Sequence, residues 1–383
     1  MKIIRFIMIT LATAALAAGC QKAIGYEDVV YFTGTENSPV TNMYIDGPTS
    51  MGLSVTSSSK LSSDMSVSVV VDEAAVDAYN AAHGTAYKML PEGSYSLSSD
   101  SFTISAGSNV SQPVTFDIVS MDDFEEGALY CIPFSLTGTS NGMKILETSQ
   151  TTYVMINQII TTQGINLQQS NYVSFPTITN NADYQDLSVC TMEIRVKMNS
   201  FYGATANPGI ASVIGVEENF LLRFGDISCD KNQLQLAGRG ASVTSSLHFS
   251  TDRWYHIAVV DDGSTATLYA DGEAVGSTDS SGKDPINLAW DYMDGFHVGF
   301  SERGRLMDGV VSEARVWTRA LTPTELVNNQ CYVDPASEGL LGYWRLDSLN
   351  DENKIVDMTG RGNDGEPSST SLTWEELKCP VVD

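Results

Sequence analysis

Trp254-Tyr255-His256-Ile257-Ala258-Val259, the pair Asp262-Gly263, then Thr267-Leu268-Tyr269-Ala270 and the pair Asp271-Gly272 form the stretch that decides the fold. Alternation at period two, with β-branched and aromatic residues, reads as strands that bury one face. Each Asp-Gly pair reads as a hairpin turn, because glycine tolerates the positive φ that a tight turn needs. Tyr172 to Phe175, Cys190 to Lys197 and Phe220 to Phe224 alternate in the same way. Thr322-Pro323 followed by Glu325 marks the start of a short helix, with Thr322 as its cap.

The first half of the chain is also built of alternating runs, among them Met51 to Val55, Met65 to Val69, Ser101 to Ile104 and Val114 to Ile118. One helix interrupts them, starting from Asp72 as N-cap, placing Ala75, Val76 and Tyr79 on one face and ending at Gly84. Cation usage divides the chain: residues 21–160 hold four Lys and no Arg, residues 161–383 five Lys and ten Arg. The expected fold class is all-β. Residues 20–160 form a β-sandwich with one short helix, and residues 165–383 form a second sandwich.

Asn171-Tyr172-Val173, Trp254 to Ala258, Leu268 to Gly272, Phe296-His297-Val298-Gly299 and the run from Gly309 through Glu313 to Leu321 resemble, as a set, a laminin-G-like member of the concanavalin A-like lectin/glucanase superfamily. That resemblance spans about 165 to 365. It implies a jelly roll of two curved antiparallel sheets that binds glycans or proteins outside the cell. Val30-Tyr31-Phe32, Tyr79-Asn80, Gly84-Thr85, Leu90-Pro91-Glu92, Tyr95 and the Ile104 to Gly107 turn resemble, in their order, an N-terminal domain of unknown function from surface lipoproteins of glycan-utilisation systems. It implies an extracytoplasmic Ig-like module and no chemistry.

At the N-terminus, Lys2 and Arg5 precede an apolar run from Phe6 to Ala18, and Leu16-Ala17-Ala18-Gly19 leads into Cys20. The run is too short to cross a bilayer as a helix, and residues 1–19 read as a signal peptide. Small residues directly before a cysteine resemble a bacterial lipobox, which makes Cys20 the lipidated first residue of the mature protein. Gln21 in place of an Asp favours the outer membrane, and Glu27-Asp28 resembles a surface-export tag. The expected location is the outer membrane, with the body at the cell surface.

The 383 residues carry 21 Lys+Arg against 47 Asp+Glu, a formal net charge of −26, which argues against nucleic acid as a partner. The remaining cysteines, Cys131, Cys190, Cys229, Cys331 and Cys379, include no CxxC pair; Cys331 and Cys379 either bridge the C-terminal segment or stay free.

Catalytic signatures are absent. Gly138-Thr139-Ser140-Asn141-Gly142 has the letters of a nucleophile elbow but the context of a strand-to-strand turn. No Glu is followed two positions later by Asp, so the strand-borne carboxylate pattern of glycosidases on this fold is missing. Glu193 and Arg195 read as a solvated face, His256 as a structural hydrogen-bonding group, and Trp254, Trp317 and Trp344 as core.

Two segments suit a sugar. Asn287 to Asp294 offers Trp290 and Tyr292 as ring platforms with Asp291 beside them; Phe201 to Asn207 offers Tyr202 and Asn207. The run Asp357 to Gly365 sets Asp357, Asn363 and Asp364 among glycines, which either coordinate Ca²⁺ or form a metal-free turn. The reading is a lipid-anchored, non-enzymatic glycan-binding protein for polysaccharide capture. The alternatives are an adhesin for a protein partner and a divergent glycosidase. Other surface lipoproteins or an outer-membrane transporter are the further partners to consider.

Overall fold

The computed structural model describes residues 27–201, 209–293, 295–302 and 304–380. Cys20, Tyr202 and Asn207 lie outside the described residues. The chain divides into two compact units, one of residues up to 43, 47–124 and 129–156, the other of 157 onward with 44–46 and 125–128.

In the first unit a five-stranded sheet runs in the order Val40–Ile45, Thr151–Gln158, Tyr130–Thr139, Met65–Val71, Ser101–Ile104. Two three-stranded sheets oppose it. Phe32 meets Phe102 edge-on at 5.8 Å, and Phe116 meets Phe134 at 5.3 Å, so the small sheets share its core. The Met51 to Val55 run is not one strand: Thr49–Leu53 pairs with Val114–Ile118, while Val55–Ser57 pairs with Val29–Phe32. The chain changes sheets at Ser54. The helix spans Ala74–His83, with Glu73 rather than Asp72 as N-cap, because the Asp72 carboxylate accepts a hydrogen bond from Ser135 Oγ. Gly84 closes it in the left-handed region. Asn141-Gly142 is a turn, but Lys144–Ile145 leaves it to pair in parallel with the strand Val29–Phe32.

The second unit is a sandwich of an eight- and a seven-stranded sheet. The larger runs Glu273–Asp279, Thr265–Ala270, Trp254–Asp261, Cys190–Met198, Gly309–Trp317, Ile160–Asn166, Thr373–Cys379, with Leu340–Trp344 also on Gly309–Trp317. Met192, Ile194 and Val196, with Ile257 and Val259, fill the space between the sheets. Asp271 and Gly272 both take positive φ, making the two-residue turn the sequence predicts. A Cβ on Gly272 would stand 2.3 Å from Val327 Cγ2, so the helix Pro323–Asn328 also demands glycine there. Thr322 and Glu325 complete a capping box at the start of that helix.

The other face of the large sheet is not solvated. The segment following Trp317 folds back over it, and Leu321, Leu326 and Val333 pack with Ala258, Val260 and Trp317 in a second core. Glu193 and Arg195 are therefore buried, contrary to the sequence reading. Trp344 lies in the main core and Trp317 in the second, whereas Trp254 is only half-buried, with the Arg195 guanidinium 5.1 Å from its ring centre. Cys331 and Cys379 form a disulfide that ties this covering segment to the last strand; Cys131, Cys190 and Cys229 are free thiols.

Candidate functional site

Three turns of the second unit converge on one cleft of about 370 Å³. The turn after Ala211–Val216 supplies Glu218 and Asn219, the turn after Cys229–Ala237 supplies Arg239, and the loop before Phe296 supplies Asp284, Asn287 and Trp290. Asp186 completes the wall. Close backbone contact fixes the first two turns: Gly238 has φ +121°, and a Cβ there would sit 2.2 Å from the Asn219 carbonyl oxygen. Arg239 then braces the third, donating from Nη1 to the Asp284 carbonyl at 2.8 Å and pairing through Nη2 with buried Asp261. Asn219 Oδ1 accepts the Asn287 backbone N–H at 2.9 Å.

Trp290 keeps 38% of its surface exposed and lies parallel to Tyr292, ring centres 4.8 Å apart and planes 17° apart. Tyr292 thus supports the indole and, like Asp291, is not part of the cleft wall. A second cleft of about 220 Å³ adjoins through the shared Glu218 and Arg239. Its buried Glu217 is held by Arg305 at 2.7 Å and by Arg223 at 3.6 Å. The exposed carboxylates Asp186, Glu218 and Asp284 stand as hydroxyl acceptors beside an aromatic face, the arrangement that suits a polyhydroxylated ring. Of the residues the sequence singles out in the segment Asn287 to Asp294, Trp290 lines this cleft and Asp291 and Tyr292 do not; Asp186, Glu218, Asn219 and Arg239 join it from elsewhere in the sequence. Only the fold brings those turns together.

The Asp357 to Gly365 run is pinned by its own hydrogen bonds. Asp357 Oδ1 accepts from Thr359 Oγ1 at 2.7 Å and Thr359 N at 3.1 Å, and Oδ2 from Asn363 N at 3.2 Å. Asp364 Oδ1 accepts the Asp357 N–H at 2.8 Å, and the Asn363 carbonyl accepts from Trp344 Nε1 at 2.7 Å. Among the described residues no group of three or more His, Cys, Asp or Glu is arranged to hold a metal ion.

Residues 167–327 match the family model of the concanavalin A-like lectin/glucanases superfamily. The second unit is a concanavalin A-like domain. Ahead of it, residues 26–143 match a family model of an N-terminal domain. The chain is similar over 91% of its length, at 28% identity and a TM-score of 0.59, to 98% of a candidate carbohydrate-binding protein from Bacteroides ovatus. A protein of unknown function from the same species aligns with 79% of this chain and 95% of its own, at 10% identity and a TM-score of 0.31. The CBM40 domain of the Ruminococcus gnavus IT-sialidase, bound to α2,3-sialyllactose, aligns with 44% of this chain and 96% of its own, at 16% identity and a TM-score of 0.33. No curated protein matches the chain. In the concanavalin A-like domain the Trp290 cleft lies among turns, where binding groups collect on such sandwiches.

Proposed function

We propose that the chain is a glycan-binding protein held at the outer membrane by acyl chains on Cys20, that it captures polysaccharide, and that it catalyses nothing. The observation that carries this reading is Trp290, an exposed indole backed by Tyr292 at a cleft lined with hydroxyl acceptors. The end-to-end likeness to a candidate carbohydrate-binding protein at 28% identity supports it. The Cys331–Cys379 disulfide suits an oxidising compartment outside the cytoplasm. Hydrolysis by paired carboxylates needs both groups beside the glycosidic bond. Glu193 and Glu313, which lie on neighbouring strands of the large sheet, are instead sealed beneath the segment after Trp317.

A glycan array probed with the full chain tests the proposal. Saturable binding of a polysaccharide class without release of reducing ends is the expected result. Turnover would make the protein a glycosidase, and preference for an immobilised protein would make it an adhesin.

A further inference from the structure

The covered face of the large sheet holds a third cleft, of about 620 Å³, which shares no residue with the other two. Alternation along two strands builds its inner wall. Arg195 comes from the strand Cys190–Met198, and Trp254 and His256 come from its neighbour Trp254–Asp261, all on the face turned away from the main core. Gln330, just beyond the helix Pro323–Asn328, and Pro380, beside the disulfide, form the opposite side.

Two groups in this wall lack the partners that buried polar groups normally have. Arg195 is 3% exposed, and its Nη1 has no hydrogen-bond partner among the described residues. Among the described residues it makes no salt bridge. Other buried cations of this unit are matched: Arg315 pairs with Glu193 and Glu313, and Arg239, at the other cleft, pairs with Asp261. His256 is turned with Nε2 3.0 Å from Glu193 Oε2, without hydrogen-bond geometry, and among the described residues neither ring nitrogen has a hydrogen-bond partner. A proton on Nε2 faces the Glu193 carboxylate and leaves Nδ1 a lone pair that can accept a hydrogen bond. Of the two acids in the wall, Asp271 is already engaged, by the His256 backbone N–H at 2.9 Å and by Arg253 at 3.3 Å.

A buried guanidinium with an unmade hydrogen bond is costly to fold, and an oxyanion bound to it offsets that cost. The net charge of −26 does not draw anions toward this chain from a distance. At physiological salt, however, such fields fade within about 8 Å, and contact chemistry decides. Burial lowers the Arg195 guanidinium to about 10, which keeps it cationic at neutral pH.

We propose that this cleft binds a sugar acid, its carboxylate on Arg195 and a neighbouring hydroxyl donating to His256 Nδ1. The cleft is separate from the Trp290 site, and neither proposal rests on the other. The sugar acid is either a free uronate or a uronate unit of a polysaccharide.

Calorimetric titration of the full chain with D-galacturonate, trigalacturonate and neutral D-galactose tests this. The acids are expected to bind at least about tenfold more tightly than galactose, the scale of one charge-assisted contact. Tighter binding of trigalacturonate than of the monomer would assign the site to a polymer, the reverse to a free acid. Arg195→Met is expected to weaken galacturonate by about tenfold or more. Gln330→Trp, which fills the cleft from its half-buried wall without touching the buried charges, is expected to do the same, and it decides the matter if Arg195→Met fails to melt cooperatively. Equal binding of acid and neutral sugar, no binding of either acid, or galacturonate binding unchanged in Gln330→Trp overturns the proposal.

Discussion

Glu193 and Arg315 meet across neighbouring strands, Oε1 3.4 Å from Nη1, and neither side chain reaches water. Around them, Trp317 Nε1 donates to Glu193 at 2.9 Å, Tyr343 Oη donates to Glu313 at 2.7 Å, and Arg315 also pairs with Glu313. Each charge depends on its partner, since a buried ion left alone is far costlier than a buried pair. Arg315→Met, which strands two carboxylates, is expected to lower the unfolding free energy by about 3–5 kcal/mol. Denaturant titration measures it, and a loss below about 1 kcal/mol would mean that water enters the network.

The same network gives stability an acid limit. Burial pushes the Glu193 carboxyl up, but His256 at 3.0 Å, the Arg315 charge and the Trp317 indole together hold it below the usual carboxylate range. In Glu313 burial wins over Arg315, Tyr343 and Arg345, and the carboxyl is raised. A carboxyl lowered on folding adds stability that is present above its unfolded value, about 4.3, and is lost as pH falls through the folded value. Glu193→Gln is therefore expected to lose less Tm than wild type between about pH 5 and about pH 3. Glu313 acts in the opposite direction but is present in both proteins. A steeper fall in the variant would contradict the assignment.

These residues also show where the sequence was legible. The strands, the Asp-Gly turns and the helix cap after Leu321 follow from local pattern and appear in the structure. Which side of a strand meets water is not local information. Glu193 and Arg195 look solvated until the segment carrying Leu321 and Leu326, more than a hundred residues later, covers them. Trp254 was misread for the same reason. It faces the cover rather than the main core, and its polar neighbours keep that region from packing dry. Trp290 stands out in the sequence because a loop holding two aromatics is itself a local signal.

Trp290→Ala is expected to weaken glycan binding by about 1–2 kcal/mol, the scale of one aromatic contact, with Tm nearly unchanged because the ring is 38% exposed and stacks on Tyr292 at the surface. Calorimetry on a glycan selected by the array checks it. Unchanged affinity would move the site elsewhere.

Cys331 and Cys379 close a span of 48 residues. By the chain-entropy relation, Cys331→Ser is expected to cost about 4 kcal/mol, read as a lower denaturant midpoint that reductant no longer shifts.

Because the Asp357 carboxylate already accepts from Thr359 and Asn363, calcium and its chelators are expected to leave Tm unchanged, while Asp357→Ala costs about 1–3 kcal/mol through lost turn hydrogen bonds. A calcium-dependent rise in wild-type Tm that Asp357→Ala abolishes would instead assign a cation to this loop.

Cys20→Ala is expected to release the protein from membranes, since among the described residues no helix is long and apolar enough to hold it there. Membrane attachment of the variant at high salt would remove the lipid anchor from the proposal.

The strand Ile160–Asn166 lies beside Thr373–Cys379 over its whole length, although more than two hundred residues separate the partners. A sheet wired this way cannot close before Thr373–Cys379 has been made. Until then Ile160–Asn166 has only the short pairing of Ile165 and Asn166 with Gly309–Trp317, which delays the native topology and leaves an adhesive edge bare in the meantime. Were the chain exported as an unfolded thread, as the proposed anchor on Cys20 requires, that delay would be of use, because ordering that could jam a translocation channel would begin only once both partner strands had crossed.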